Sequence, residues 1–177
     1  MVIYSLFLFT CSGLLLPAAA GLVCGDADSL IQGLAAGILL AAAVADQRTR
    51  EIPPVLNGAL LLLGLLRIWL GGVSPGEAVL GSLCVSLPLG LLLSATHGRA
   101  IGGGDVKLTA AGGLLVGWRR CVLAFWIGGV LAVLLNAPYL GKEKSGHTVA
   151  FGPYLAAGFF LIFLWGDEML AFLADKF

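Results

Sequence analysis

Apolar blocks separated by short polar breaks run the length of the chain, at about 2–23, 30–45, 55–72, 76–96, 106–117, 119–140 and 149–166. In lipid every backbone polar group must find its partner within the protein, so helices are the form such blocks take. A helix perpendicular to the bilayer needs roughly 20 residues to cross the hydrocarbon. Several blocks fall short of that, 106–117 most clearly, and short spans are tolerated only against protein or a water-filled cavity. The pattern predicts an all-α, polytopic transmembrane bundle of about seven helices, one of them a short helix after a run of glycines and an aspartate. No repeat, low-complexity tract or soluble region interrupts it, so residues 1–177 are expected to form one transmembrane domain.

Composition supports this and removes other classes. The chain is 59% hydrophobic and 11% charged, with mean hydropathy +1.02, whereas soluble domains carry about 25% charged residues. A water-soluble fold of this size has too little interior to hide that much apolar surface. Ten basic and ten acidic residues cancel, which leaves no basic excess for nucleic acid. The 26 glycines suit close helix–helix approach in a membrane. Cys11, Cys24, Cys84 and Cys121 stand singly in apolar segments and form no C-x-x-C pair, so they read as small hydrophobes. With only His97 and His147 besides, no metal site and no cofactor are expected. The first 24 residues could mimic a signal peptide but lack its basic n-region and are long enough to span. Bulky Leu22 and Val23 before Cys24 argue against lipoprotein cleavage, so a retained first helix is expected.

Lys and Arg mark the cytoplasmic loops. With the N-terminus inside, Arg48, Arg50, Arg99, Lys107, Lys142 and Lys144 all fall on the cytoplasmic side, and Arg119 and Arg120 are the exceptions. Arg67, near an outer helix end, is expected to snorkel toward water. The basic pairs Arg48/Arg50 and Lys142/Lys144 read as topology anchors.

This orientation brings Asp46 and Asp105 to one face, each at a helix border. Asp105, in "IGGGDVKL", suits a helix N-terminus and reads equally as a plain cap. Asp46 ends "AGILLAAAVAD", where a carboxylate opposes the helix dipole. Ionisable residues within a membrane are functional candidates. Two carboxylates at close range do not both ionise readily, so one holds a proton near neutral pH. Such a pair can hydrolyse a peptide bond, one acid taking a proton from the attacking water and the other giving one to the carbonyl oxygen. No Ser–His or Cys–His set is placed to compete. Gly102, Gly103 and Gly104 permit positive φ and close approach of a substrate strand, or form a plain hinge.

At these residues the chain resembles the type IV prepilin peptidases, the bacterial branch of the GxGD intramembrane aspartyl proteases. Three motifs match in order: "DQRTREIPP", with Asp46, Thr49, Ile52 and Pro53; G-x-G-D-x-K-L at Gly102, Gly104, Asp105, Lys107 and Leu108, followed by a small-residue helix ending at Gly117–Trp118; and "FGPYLA", Phe151 to Ala156. The resemblance covers roughly residues 30–166. It implies that Asp46 and Asp105 are the catalytic pair, in a multi-pass protein of the bacterial inner membrane with its site facing the cytoplasm. The implied substrate is a prepilin or pseudopilin, cut after a glycine between a short basic leader and an apolar helix. Two departures stand out. The family has Asn after Ile-Pro, where this chain has Pro54, with Asn57 three residues later. The cysteine-paired N-methyltransferase domain of bifunctional relatives has no counterpart here, so a peptidase without methyl transfer is expected.

Supporting roles are expected at Pro53, Gly102, Gly103, Gly104, Lys107, Gly152 and Pro153. Lys107 reads either as a group that biases Asp105 or binds a lipid phosphate, or as an interfacial lysine. Gly152 and Pro153 read as shaping a helix entry near the acids, or as a simple helix start. Two rival classes carry different expectations. A proton- or ion-coupled transporter predicts acids near the bilayer midplane and an internal repeat, whereas both acids here sit at one edge and no repeat shows. A non-catalytic assembly component of a secretion apparatus predicts that both acids merely cap loops.

Overall fold

The computed structural model describes residues 27–98, 101–137 and 150–176. The block expected over 2–23, and Arg99, Lys142, Lys144 and His147, lie outside them. Among the described residues seven helices follow one another: α1 (Ala27–Thr49), α2 (Pro54–Trp69), α3 (Pro75–Cys84), α4 (Ser86–Ala95), α5 (Gly103–Val116), α6 (Trp118–Asn136) and α7 (Gly152–Lys176). They occupy the six remaining apolar blocks, because α3 and α4 continue end to end as one apolar rod, Pro75–Ala95. The break between them falls at Val85, and Pro88 accounts for it: its ring has no N–H to give the Cys84 carbonyl four residues back and clashes with it.

Local chemistry sets the helix ends. Ser74 caps α3, accepting the Glu77 N–H at 3.3 Å, with Pro75 in the first turn. Pro53 and Pro54 open α2 in the same way, since proline costs nothing where the N–H has no intrahelical partner. Gly117 ends α5 and starts α6 with φ +84, a left-handed conformation that strains any residue with a Cβ.

Among the described residues, four stretches are long and apolar enough to cross a membrane: Ala27–Thr49, Pro75–Ala95, Trp118–Asn136 and Gly152–Lys176. Their outward faces present Leu34, Leu91, Trp126, Val133, Leu134 and Phe172 openly, apolar side chains that suit contact with lipid. The 14-residue α5 is the short helix expected from the sequence, and it sits against α2, α3, α4, α6 and α7. Leu108, Thr109, Ala111, Gly112, Gly113, Leu115 and Val116 are all buried. Contact is close because small residues face one another. A Cβ on Gly113 would overlap the Gly81 carbonyl of α3, and one on Gly112 would enter the Phe159 ring of α7.

Two expectations need correction. Arg67 does not snorkel: it is buried, with Nε 2.5 Å from Asp28 Oδ1, Nη2 2.8 Å from Oδ2, and Nη1 2.9 Å from the Leu115 carbonyl. A charge supplied with partners on α1 and α5 has no need to reach water. The last helix does not stop at 166 but continues to Lys176 through a kink at Trp165 (φ −133, ψ 17). Asp167, just past the end of that block, pairs with Arg120 of α6.

Candidate active site

Asp46 stands in the last turn of α1, with its backbone carbonyl accepting the N–H of Arg50 at 2.9 Å. Arg50 has φ 55, left-handed for a non-glycine residue, and its positive charge acts on the Asp46 carboxylate. The chain then turns through Thr49 and Glu51, tied by hydrogen bonds from the Thr49 hydroxyl to the carbonyls of Ala45 (2.9 Å) and Glu51 (3.0 Å). Buried Ile52 and the two prolines lead into α2.

Asp105 lies in the first turn of α5, where the helix dipole favours a negative charge. Its backbone N–H donates to the Gly102 carbonyl at 3.2 Å, and its own carbonyl accepts the buried Thr109 hydroxyl at 2.7 Å. None of the three glycines ahead of it has a positive φ, and two of them, Gly102 and Gly104, are closely approached where a Cβ would stand. A Cβ on Gly102 would stand 3.3 Å from Asp105 Oδ2, and one on Gly104 would stand 3.2 Å from Ile52. The middle glycine, Gly103, would meet only Leu93 at 3.8 Å, an ordinary contact. The Gly104–Ile52 contact joins the loop after α1 to the start of α5.

Both carboxylates line one cavity of about 270 Å³, together with Arg50, Glu51, Ile52, Pro54, Asn57, Gly102, Gly103, Gly104 and Lys107. The charge of Asp46 acts directly on Asp105. Both acids are buried, at 7% exposure each. Asp46 Oδ2 accepts the backbone N–H of Gly152, the first residue of α7, at 3.0 Å. Asp105 Oδ1 is buried and, among the described residues, has no hydrogen-bond partner.

Of the residues singled out from sequence, Asp46, Asp105, Gly102, Gly103, Gly104 and Lys107 therefore come together, and Gly152 joins them through its amide. Pro53 and Pro153 stay outside the cavity lining and serve helix starts. Asn57, Arg50 and Glu51 line the cavity as well, with no site role expected of them from the sequence, where Asn57 stands out only as the Asn three residues beyond Pro54. A buried amide one turn into an apolar helix was the available signal for Asn57. Arg50 and Glu51 carry none beyond their place beside Asp46.

A sequence model described as the type IV leader peptidase family matches residues 33–137. Three proteins named prepilin leader peptidase/N-methyltransferase are similar to this chain. That of Aeromonas hydrophila is 31% identical over 147 residues, covering 79% of this chain and 51% of the relative. That of Pectobacterium carotovorum subsp. carotovorum is 38% identical over 128 residues, 68% and 46% of the two chains. That of Bacillus subtilis (strain 168) is 30% identical over 166 residues, 88% and 64%. The chain thus spans about half the length of most such relatives. No solved structure matches it.

Proposed function

This chain belongs to the type IV leader peptidase family, and on that premise we propose that it is a membrane-embedded aspartyl endopeptidase that removes the short basic leader of a prepilin or pseudopilin. The observation that carries the reading is the meeting of Asp46 and Asp105, far apart in sequence, in one cavity at one end of the bundle. Two carboxylates in such proximity share one proton. The ionised acid takes a proton from water as the water oxygen bonds to the scissile carbonyl carbon, and the protonated acid gives its proton to the carbonyl oxygen. As the diol collapses, one hydroxyl returns its proton to the second acid while the C=O re-forms, the C–N bond breaks, and the leaving nitrogen takes the proton held by the first acid, which restores the pair. Water reaches the acids through the cavity, which Glu51, Arg50 and Lys107 also line.

The site faces the cytoplasm of a bacterial inner membrane in this reading. The gathering of Arg48, Arg50 and Lys107 at the acid end supports that side, while Arg67 and Arg120 at the other end are paired with Asp28 and Asp167. Methyl transfer to the new N-terminus is not part of the proposed activity of these 177 residues, which contain no C-x-x-C pair.

The test is co-expression with a prepilin, followed by N-terminal sequencing and mass measurement of the product. Wild type is expected to give a cleaved, unmethylated pilin. Asp46→Asn and Asp105→Asn are each expected to insert normally and to leave the leader in place. Cleavage by either variant at the wild-type rate overturns the assignment of the pair.

A further inference from the structure

Buried polar atoms in folded proteins nearly always have hydrogen-bond partners, and each exception calls for an explanation such as an absent ligand or a catalytic role. Among the described residues three side-chain atoms are exceptions: Oδ1 of Asp105, and both Oδ1 and Nδ2 of Asn57. All three belong to residues lining the cavity that holds the two acids. Among the described residues the unmet side-chain hydrogen bonds are therefore gathered at this one cavity.

Asn57 is the more telling case. It stands in the first turn of α2 and is 8% exposed. An asparagine near a helix start can serve by capping backbone N–H groups, but this start makes no side-chain cap and is opened by Pro53 and Pro54 instead. Nor does the amide bond to Asp46, Asp105 or any other described side chain. The rest of this helix is leucine-rich, and a leucine here would escape the cost of desolvating an amide without recompense. A carboxamide offers two N–H donors and a two-lone-pair acceptor. That set complements a peptide group, which has one donor and one acceptor. A glycine at the cut has no side chain to be recognised, so contacts there fall to the substrate backbone.

We propose that Asn57 is a substrate-binding residue whose carboxamide pairs with a backbone peptide group of the chain lying beside Asp46 and Asp105; the proposal rests on the peptidase reading above. Loss of a hydrogen bond that a site is built to make lowers kcat/KM by roughly ten- to a hundredfold.

The experiment uses the purified full chain in detergent with a synthetic prepilin peptide, and compares wild type with Asn57→Leu and Asn57→Ala. Cleavage by wild type, lost in Asp105→Asn, is the control for the peptidase reading; its absence defeats that reading and this proposal with it. With the control satisfied, the expected result is a ten- to hundredfold fall in kcat/KM for Asn57→Leu, with a melting temperature equal to or above that of wild type. Asn57→Ala supplies the same comparison should the leucine not fit. A second readout separates substrate contact from a packing role. Peptides carrying single ester bonds, each replacing one backbone N–H by oxygen, are cleaved across the residues flanking the cut. At one position the ester is expected to slow wild type while adding little to the defect of the Asn57 variant, the non-additivity of two groups in contact. Unchanged kcat/KM in both variants, or ester effects that are additive at every position, overturns the proposal while leaving the peptidase reading standing.

Discussion

Gly152 holds a carboxylate in place with nothing but its backbone. As the first residue of α7 it owns an N–H with no intrahelical acceptor, and that N–H donates to Asp46 Oδ2 at 3.0 Å. A Cβ at this position would stand 2.6 Å from the same oxygen and 2.9 Å from Cγ, so Gly152→Ala must push either the carboxylate or the start of α7 away. Displacement of reacting groups by about 1 Å can cost a hundredfold in rate. A fall in kcat of roughly ten- to a hundredfold is therefore expected, with a small change in melting temperature, because the clash is met at a helix end and not in the core. Leader cleavage by the purified variant, beside its thermal unfolding, checks this; a wild-type kcat would show that the contact does not position Asp46. The acids themselves were legible in the sequence from their motifs, and so was Gly152 as a neighbour. What stayed hidden was the means, since a backbone amide leaves no mark in the pattern of side chains. Arg67 was misread for a related reason: its distance from the end of an apolar block is visible, but its partner Asp28, on another helix, is not.

Among the elements, α5 depends most on its surroundings. Fourteen residues are too few to cross hydrocarbon alone, and its lodging among five other helices replaces lipid with protein. The approach to α3 is closest at Gly81 and Gly113, each of which has the other's carbonyl where a Cβ would go. Gly113→Ala forces these helices apart, and overpacking of this kind costs about 1–3 kcal/mol. The expected outcome is a lowered unfolding midpoint in detergent together with reduced cleavage, because α5 carries Asp105. Gly76→Ala in α3, where a Cβ would meet nothing within 4 Å, is the matched control and is expected to be silent. Equal stability of the two variants would sink the argument. Helix existence was readable at this scale because apolar blocks have few alternatives in a membrane. Helix ends were less so. The last helix ran past Asp167 because that acid found Arg120, and Pro88 split one apolar block by a clash with a carbonyl four residues earlier.

Taken whole, the bundle gathers its two cavity acids at one end and the buried Arg67 ion pair at the other. The acid cavity gathers the end of α1, the start of α2, the start of α5 and the start of α7. At the far end, Arg67 near the close of α2 binds Asp28 at the start of α1 and the Leu115 carbonyl near the close of α5. These are three of the four helices that supply the site, so the tie fixes their relative position without touching substrate. Removing one partner of a buried pair leaves the other uncompensated and costs about 3–5 kcal/mol. Arg67→Ala is placed at the lower end, about 3 kcal/mol, because Asp28 is partly exposed and keeps the Gln32 amide at 2.7 Å. The double variant Arg67→Ala with Asp28→Ala removes the stranded charge and is expected to recover much of the loss, the sign of direct coupling between the two groups. Unfolding midpoints for the two single variants and the double variant measure that coupling. Cleavage measured per folded molecule should fall far less than stability does, since the tie lies at the end of the bundle remote from the acids. A strictly additive double variant would show that Arg67 and Asp28 act on the bundle independently, and a kcat loss as large as that of Gly152→Ala would place the ionic tie within the catalytic machinery instead of in the frame that carries it.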